Sequence, residues 1–224
     1  MKLTEDRART HLRRMRKRKL QLIGAMVSAS IFATALTGCG GKQEDASGSK
    51  PAAANHPNRT AVIETDLGPI KFELLENEAP RTAENFRLLA ERGYYNGTIF
   101  HRVISGFMIQ GGDPNGDGTG GQTATGALLP NEINRTSSLY QSGYRRGMIA
   151  MANKGRPETG SSQFFIMHGD RPLSQLPANY TIFGRVTDGM DVVDRIAGAP
   201  TTMGSDGARS RPVTPVKVLK TYVQ

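Results

Sequence analysis

Short apolar runs of β type, spread over residues 60–224, constrain the fold of this chain most. Seven such runs stand at Ala61–Asp66, Ile70–Leu75, Ile99–Ile104, Met148–Ala152, Gln163–Met167, Thr181–Val186 and Val216–Val223. Two helical segments interrupt them, and strands and helices do not alternate regularly. This pattern predicts a mainly β fold, a closed or nearly closed barrel with helical caps.

Both helical segments carry ordinary boundary signals. The first begins at Pro80, since proline suits a first helical turn, and it ends at Gly93. Its apolar residues Ala83, Phe86, Leu89 and Ala90 share one face. The second covers residues 188–197. Leu67-Gly68-Pro69 separates the first two strands and indicates a hairpin.

The basic charge of the chain is concentrated at its N-terminus. The formal net charge is +9, and residues 1–38 hold nine Lys and Arg residues against two acids. The remaining residues therefore carry about +2, an ordinary value for a protein surface. A basic nucleic-acid-binding face is not expected, and we predict no nucleic-acid partner.

The same N-terminus has the layout of an export signal. A basic segment precedes residues 20–36, which carry no charge, and the order Leu36-Thr37-Gly38-Cys39 follows. This order resembles a bacterial lipobox, in which the cysteine is lipidated after cleavage. The alternative for Cys39 is a chance small residue or a buried thiol. We expect a signal peptide at 1–38 and lipidation at Cys39, which would anchor the domain to the cell membrane outside the cytoplasm.

The residues after Cys39 predict a flexible connection. Residues 39–59 are small and polar and show no periodicity, which is typical of a tether. A single domain is then expected at 60–224.

The glycine-rich loop GGDPNGDGTGG, residues 111–121, matches two well-known motifs by accident. Its G-x-G-x-x-G is followed by QTATGALLP, which does not open a helix, so dinucleotide binding is rejected. Its partial calcium-loop pattern has Ala124 where a glutamate is needed. The histidines stand at no metal-ligand spacing with a carboxylate or thiol, and we predict no metal. A structural turn and the rim of a site both remain open for this loop.

Two apolar segments hold polar residues that point to a binding groove. In FHRVISGFMIQGGD, residues 100–113, Arg102 stands among apolar side chains, and a guanidinium keeps its charge and avoids a dry core. In the second segment, residues 148–166, Asn153 and Gln163 bracket a loop, and their amides need partners when buried. A groove for an uncharged, partly apolar ligand that is bound along its backbone would explain both segments.

Five blocks in order resemble the cyclophilin family of peptidyl-prolyl isomerases. They are FHRVISGFMIQGGD, GDGTGG, GMIAMAN, GSSQFFI and YTIFGRV. The resemblance implies a closed eight-stranded antiparallel β-barrel capped by two α-helices. It also implies rotation about X-Pro bonds without a cofactor.

The resemblance assigns site residues by position. Arg102 matches the catalytic arginine. The positions that match the proline pocket are Phe107, Met108, Phe165, Leu176 and Tyr180. The positions that match peptide contacts are Gln110, Ala152, Asn153 and Gln163, with Gly118 at the rim. Tyr180 stands where many eukaryotic members have histidine, and Gln175 stands where some have tryptophan.

The sequence therefore predicts a peptidyl-prolyl cis-trans isomerase that acts on exported proteins and assists their folding. Its expected partners are proline-containing polypeptides and, through Cys39, the membrane; we expect a monomer. The alternative is a lipid-anchored scaffold or chaperone that holds proline-containing segments without significant turnover. A solute-binding lipoprotein would need a larger, two-lobed domain.

Overall fold

A computed structural model describes residues 57–224 of the chain. The predicted signal peptide, Cys39 and all but the last three residues of the predicted tether lie outside the described residues.

Residues 57–224 form ten strands and three helices. The strands are β1 Thr60–Thr65, β2 Gly68–Leu74, β3 Arg102–Ile104, β4 Met108–Gly111, β5 Met148–Met151, β6 Phe164–Met167, β7 Ile182–Asp188, β8 Thr201–Met203, β9 Arg209–Pro212 and β10 Val218–Val223. The helices are α1 Pro80–Glu91, α2 Ser138–Gln141 and α3 Met190–Ala197. None of these helices is long and apolar enough to cross a membrane.

Eight of the strands form one curled antiparallel sheet in the order β10-β1-β2-β7-β5-β6-β4-β3, and β8 pairs with β9 in a separate ribbon. The two end strands, β3 and β10, are not ladder partners. Residues 97–100, just before β3, instead reach β10 and the residues before it through backbone hydrogen bonds and an isolated bridge between Ile99 and Lys217. The sheet is therefore a half-barrel, and the predicted closed barrel is an overstatement. Turns at residues 92–97 keep this segment from extending into a ladder.

Most predicted elements are confirmed, with small shifts. β1 and β2 form the predicted hairpin in continuous register. Helix α1 covers the predicted segment and buries the predicted face. Helix α3 begins at Met190 rather than 188, because Gly189 precedes it in a left-handed conformation with φ +88°. The sequence did not predict the short α2, strand β4 or the β8–β9 ribbon.

Aromatic side chains between α1 and the sheet form the inner core. The ring of Phe86 on α1 lies 5.3 Å from that of Phe72, 5.6 Å from Phe183 and 5.7 Å from Phe164. All four side chains are at most 2% exposed. Burial of one such ring contributes about 1.5–3 kcal/mol, so this cluster fixes the inner face of the sheet. The outer face of the same strands remains available for a site.

A second apolar cluster covers that outer face, and two buried tyrosines hold its covering segment. The Tyr144 hydroxyl donates to the carbonyl oxygen of Tyr180 at 3.0 Å and accepts from its N–H at 3.1 Å. The Tyr140 hydroxyl accepts from the N–H of Ile182 at 2.9 Å. Burial raises the pKa of Tyr144 to about 12, so its hydroxyl stays protonated. These bonds fix residues 180–182 beside the sheet.

Candidate functional site

The register of four neighbouring strands brings part of the predicted site into one row. Arg102 on β3, Gln110 on β4, Phe165 on β6 and Ala150 on β5 are aligned across the sheet. Because side chains alternate along a strand, this row lies on the outer face. The neighbouring row lies in the inner core: Val103, Ile109, Ile166 and Ile149.

The predicted proline-pocket residues meet in the second apolar cluster. Its members among them are Met108 and Phe165, with Phe107, Leu176 and Tyr180 packed against it; Ala152, a predicted peptide contact, packs against it too. The rings of Phe165 and Tyr180 meet edge to face, 5.3 Å apart. Met108 and Phe165 are buried in this cluster, while Phe107, Leu176 and Tyr180 are half-buried beside them; we call this group the proline pocket, with Met108 and Phe165 as its floor. This arrangement suits a small apolar ring.

Arg102 lies at the edge of this pocket. Its side chain is 32% exposed, and its Nη1 approaches Met108 Sδ at 3.8 Å and Gln110 Oε1 at 3.4 Å. Its Nε donates to Asp206 Oδ2 at 2.7 Å. Within residues 57–224 its Nη2 makes no hydrogen bond. The guanidinium is therefore held mainly through Nε and retains N–H groups on its terminal nitrogens for a ligand.

Sequence reasoning missed Asp206, which lies in the turn between β8 and β9. Its Oδ1 accepts from the Ser210 hydroxyl at 2.7 Å and from the Ala208 N–H at 3.1 Å. Burial opposes ionisation of this carboxyl, but the hydrogen bonds from Arg102, Ser210 and Ala208 outweigh it and lower its pKa to about 2. The turn sequence Gly204-Ser205-Asp206-Gly207 predicts a loop, but nothing in it indicates a partner 104 residues away.

A chain of amides connects Arg102 to the glycine-rich loop. Gln110 Nε2 donates to Gln163 Oε1 at 2.9 Å. Gln163 Nε2 donates to the carbonyl oxygens of Gly118 and Gly120 at 3.0 and 2.7 Å. Both protons of the Gln163 amide are thus used within the protein. Gln163 therefore holds the loop in place, and the peptide contact expected at its position stays a prediction.

Asp113 fixes the backbone of the same loop through hydrogen bonds to its carboxylate. Its buried carboxylate accepts from the N–H groups of Asn115, Asp117 and Gly118 at 2.9, 3.2 and 2.6 Å. Gly118 has φ +90°, a conformation that other residues rarely adopt. The loop is a structural turn, and it also lines cavities on both of its sides.

One of these cavities, of about 270 Å³, lies between the glycine-rich loop and the β8–β9 ribbon. Arg102, Asp206 and His101 line it. His101 is 8% exposed, and burial lowers its pKa, so its ring is neutral at neutral pH. His101 therefore places no second positive charge beside Arg102.

Asn153 lines the other cavity beside the glycine-rich loop, together with Gly118 and Gly120. Its Nδ2 donates to the carbonyl oxygen of Asn179 at 2.9 Å, and its Oδ1 accepts from the N–H of Gly155 at 2.9 Å. The side chain thus braces the segment before Tyr180. Its own backbone N–H and C=O bond to no residue of the described part of the chain. An extended peptide can pair with this backbone, as in strand addition.

The residues that the structure describes contain no group of three or more His, Cys, Asp or Glu side chains placed to hold a metal ion. The predicted lipidation site, Cys39, lies outside them.

Comparisons with known proteins identify the family of this chain. Residues 60–223 match the family model of cyclophilin-type peptidyl-prolyl cis-trans isomerases. The chain is 45% identical over 162 residues to a peptidyl-prolyl cis-trans isomerase-like 1 of Neurospora crassa, covering 72% of this chain and 92% of that protein. It is 44% identical over 172 residues to the Homo sapiens protein of that name, covering 77% and 95%.

Solved structures are similar as well. A cyclophilin-type peptidyl-prolyl cis-trans isomerase of Cryptosporidium parvum matches with a TM-score of 0.66 and 35% identity over 75% of this chain and 98% of that one. The same protein in the presence of the dipeptide Ala-Pro matches with a TM-score of 0.65 and 34% identity over 74% and 98%. The family model and these relatives show that this chain belongs to the cyclophilin family and is a peptidyl-prolyl cis-trans isomerase.

Proposed function

We propose that this isomerase acts on X-Pro bonds of exported polypeptides and assists their folding, with Arg102 as its catalytic residue. The observation that carries the proposal is the position of Arg102. Its guanidinium lies at the edge of the apolar pocket, beside Met108 and Gln110, with Nη2 free of hydrogen bonds to residues 57–224.

The reaction needs a donor that recognises the twisted amide. Rotation about the C–N bond has a barrier of about 18–20 kcal/mol because resonance gives that bond partial double-bond character. Twisting localises the lone pair on the prolyl nitrogen. Arg102 donates a hydrogen bond to that nitrogen or to the rotating carbonyl oxygen. This bond is stronger in the twisted state than in either planar state, which lowers the barrier.

The proline pocket and the backbone of Asn153 bind different parts of the peptide. The apolar floor of Met108 and Phe165 grips the proline ring, since burial favours an apolar group there. The backbone of Asn153 pairs with the residues that precede the proline. The carbonyl group of the X-Pro bond then rotates between these two held parts, within reach of Arg102.

Replacement of Arg102 by alanine tests the catalytic role. We expect about a hundredfold loss of kcat/KM, equivalent to about 2.7 kcal/mol, with an unchanged circular dichroism spectrum. The measurement is a proline-isomer peptide assay. Arg195→Ala is the matched control, since it also removes a guanidinium in an ion pair, with Asp191, on helix α3. Near-normal turnover of Arg102→Ala would refute the assignment.

The export proposal rests on the N-terminal sequence. The uncharged residues 20–36 between a basic segment and Leu36-Thr37-Gly38-Cys39 support a signal peptide, a lipid at Cys39 and a domain held outside the cytoplasm. A monomeric domain on the tether of residues 39–59 completes the proposal.

Metabolic labelling with a fatty acid tests the anchor. The full chain, expressed in a bacterium, should incorporate label and sediment with membranes, whereas Cys39→Ser should do neither. Ser47→Ala, in the tether, is the matched control and should behave as the wild type. Label that persists in Cys39→Ser would refute lipidation at this residue. A domain that external protease cannot reach in intact spheroplasts would refute the export.

A further inference from the structure

We propose that Asp206 is a positioning residue for the isomerase reaction: its carboxylate, presented by the β8–β9 ribbon, orients the Arg102 guanidinium toward the proline pocket. The inference rests on the catalytic role proposed for Arg102. With this role for Asp206, the β8–β9 ribbon, which lies outside the main sheet, contributes to catalysis.

The contact is specific in its geometry. Asp206 Oδ2 accepts from Nε of Arg102 at 2.7 Å, a charge-assisted hydrogen bond. Because Nε–H lies in the guanidinium plane, a bond at this atom fixes both the direction of the plane and its rotation. It also leaves the two terminal nitrogens for other partners. Nη1 has the weak contacts to Gln110 and Met108, and both it and Nη2 can donate to a peptide.

Asp206 is itself held firmly. The Ser210 hydroxyl and the Ala208 N–H both donate to its Oδ1. A Cβ atom at Gly204 would collide with the Ser210 hydroxyl and lie 2.8 Å from Asp206 Oδ1, so the turn closes tightly around the carboxylate. The side chain is 25% exposed, and its low pKa keeps it ionised at any working pH. The ribbon thus presents a fixed anion to β3.

Two effects of this carboxylate on catalysis oppose each other. It partly neutralises the guanidinium, which weakens electrostatic stabilisation, and it fixes the orientation of a long side chain that otherwise samples many rotamers. Twisting an amide redistributes electron density without creating a full charge. The direction of the donor therefore matters more than the net charge, and orientation should dominate.

The primary test compares wild type with Asp206→Ala and Asp206→Asn. Turnover of an Ala-Pro peptide is measured by exchange NMR, and peptide affinity by titration. We expect Asp206→Ala to lower kcat about tenfold while the peptide Kd changes less than twofold. Asp206→Asn retains an acceptor oxygen and should lose about threefold. Asp188→Ala, which removes the exposed carboxylate paired with Lys71, is the matched control and should have wild-type kcat.

A double-mutant cycle separates positioning from a general structural effect. In an Arg102→Lys background there is no Nε to orient, so adding Asp206→Ala should change kcat by less than twofold. An equal tenfold loss in that background would overturn the proposal, as would an unchanged or raised kcat for Asp206→Ala in the wild-type background. If Asp206→Ala fails to fold, Ser210→Ala replaces it and should lower kcat about threefold.

The two proposals fail in different ways. Wild-type turnover of Arg102→Ala would refute the catalytic role of Arg102. Loss of turnover in Arg102→Ala together with full turnover in Asp206→Ala would refute the positioning role alone.

Discussion

The two faces of strands β3, β4, β6 and β5 differ completely although they are built from alternating residues of the same segments. The inward row, Val103, Ile109, Ile166 and Ile149, is at most 1% exposed and packs into the core under α1. The outward row begins with the half-exposed Arg102 and Gln110 and ends in the pocket floor at Phe165 and the buried Ala150. The inward row provides stability, whereas the outward row provides recognition.

The alternation of side chains explains why an arginine can stand on a strand of a sheet whose other face is buried. Side chains alternate with a period of two, so a polar residue on the outer face does not enter the apolar core. A register shift of one residue would place Arg102 and Gln110 inside and expose the isoleucines. The aromatic core therefore holds the register on which the site depends.

Ile166→Ala should break the inward row with the largest effect on stability. Ile166 is fully buried, and truncation of such a side chain costs about 2–5 kcal/mol because a cavity remains. Urea unfolding should show this loss, while kcat/KM per folded molecule stays within about twofold of the wild type. A folded Ile166→Ala protein without activity would contradict the division between the two faces.

Phe165→Leu should act on the outward row. The substitution keeps an apolar floor but removes the edge-to-face contact with Tyr180, a contribution of about 0.5–1.5 kcal/mol. We expect peptide affinity to fall about fivefold, measured by titration with an Ala-Pro peptide, and stability to fall less than in Ile166→Ala. Ile149→Val, on the inward row, is the control and should leave affinity unchanged.

Acidic pH should act on the outward side, through the Asp206 carboxylate. The pKa of Asp206 in the folded protein, about 2, is below its unfolded value of about 3.9. Its contribution to the free energy of unfolding is therefore complete at pH values well above about 4 and is lost as the pH falls toward about 2. Thermal unfolding of wild type and Asp206→Asn should show a difference in Tm at about pH 6 that shrinks at about pH 2.5. A constant difference would contradict this linkage.

The local elements could be predicted because their signals are local. The face of α1 that carries Phe86 follows from helical periodicity, and the β1–β2 hairpin follows from two strand runs around a Gly-Pro turn. The proline-pocket residues were identified through the resemblance, and the structure brings them together at one apolar cluster.

What the sequence could not predict depends on contacts between distant segments. The open edge between β3 and β10 depends on how the turns at residues 92–97 meet the C-terminal strand. The use of both Gln163 amide protons depends on the position of the Gly118 and Gly120 carbonyls. Neither contact leaves a trace in the spacing of residues along the chain.

The sequence by itself determined a mainly β domain, its helix faces, its hairpin and an arginine beside apolar strands. Only the tertiary structure decided that Asp206 meets Arg102 and that the outward row faces a pocket. The physical reason is the distance along the chain over which each kind of signal acts. Periodicity and turn chemistry act over a few residues, whereas the Arg102–Asp206 pair forms because sheet register and the β8–β9 ribbon bring together side chains 104 residues apart.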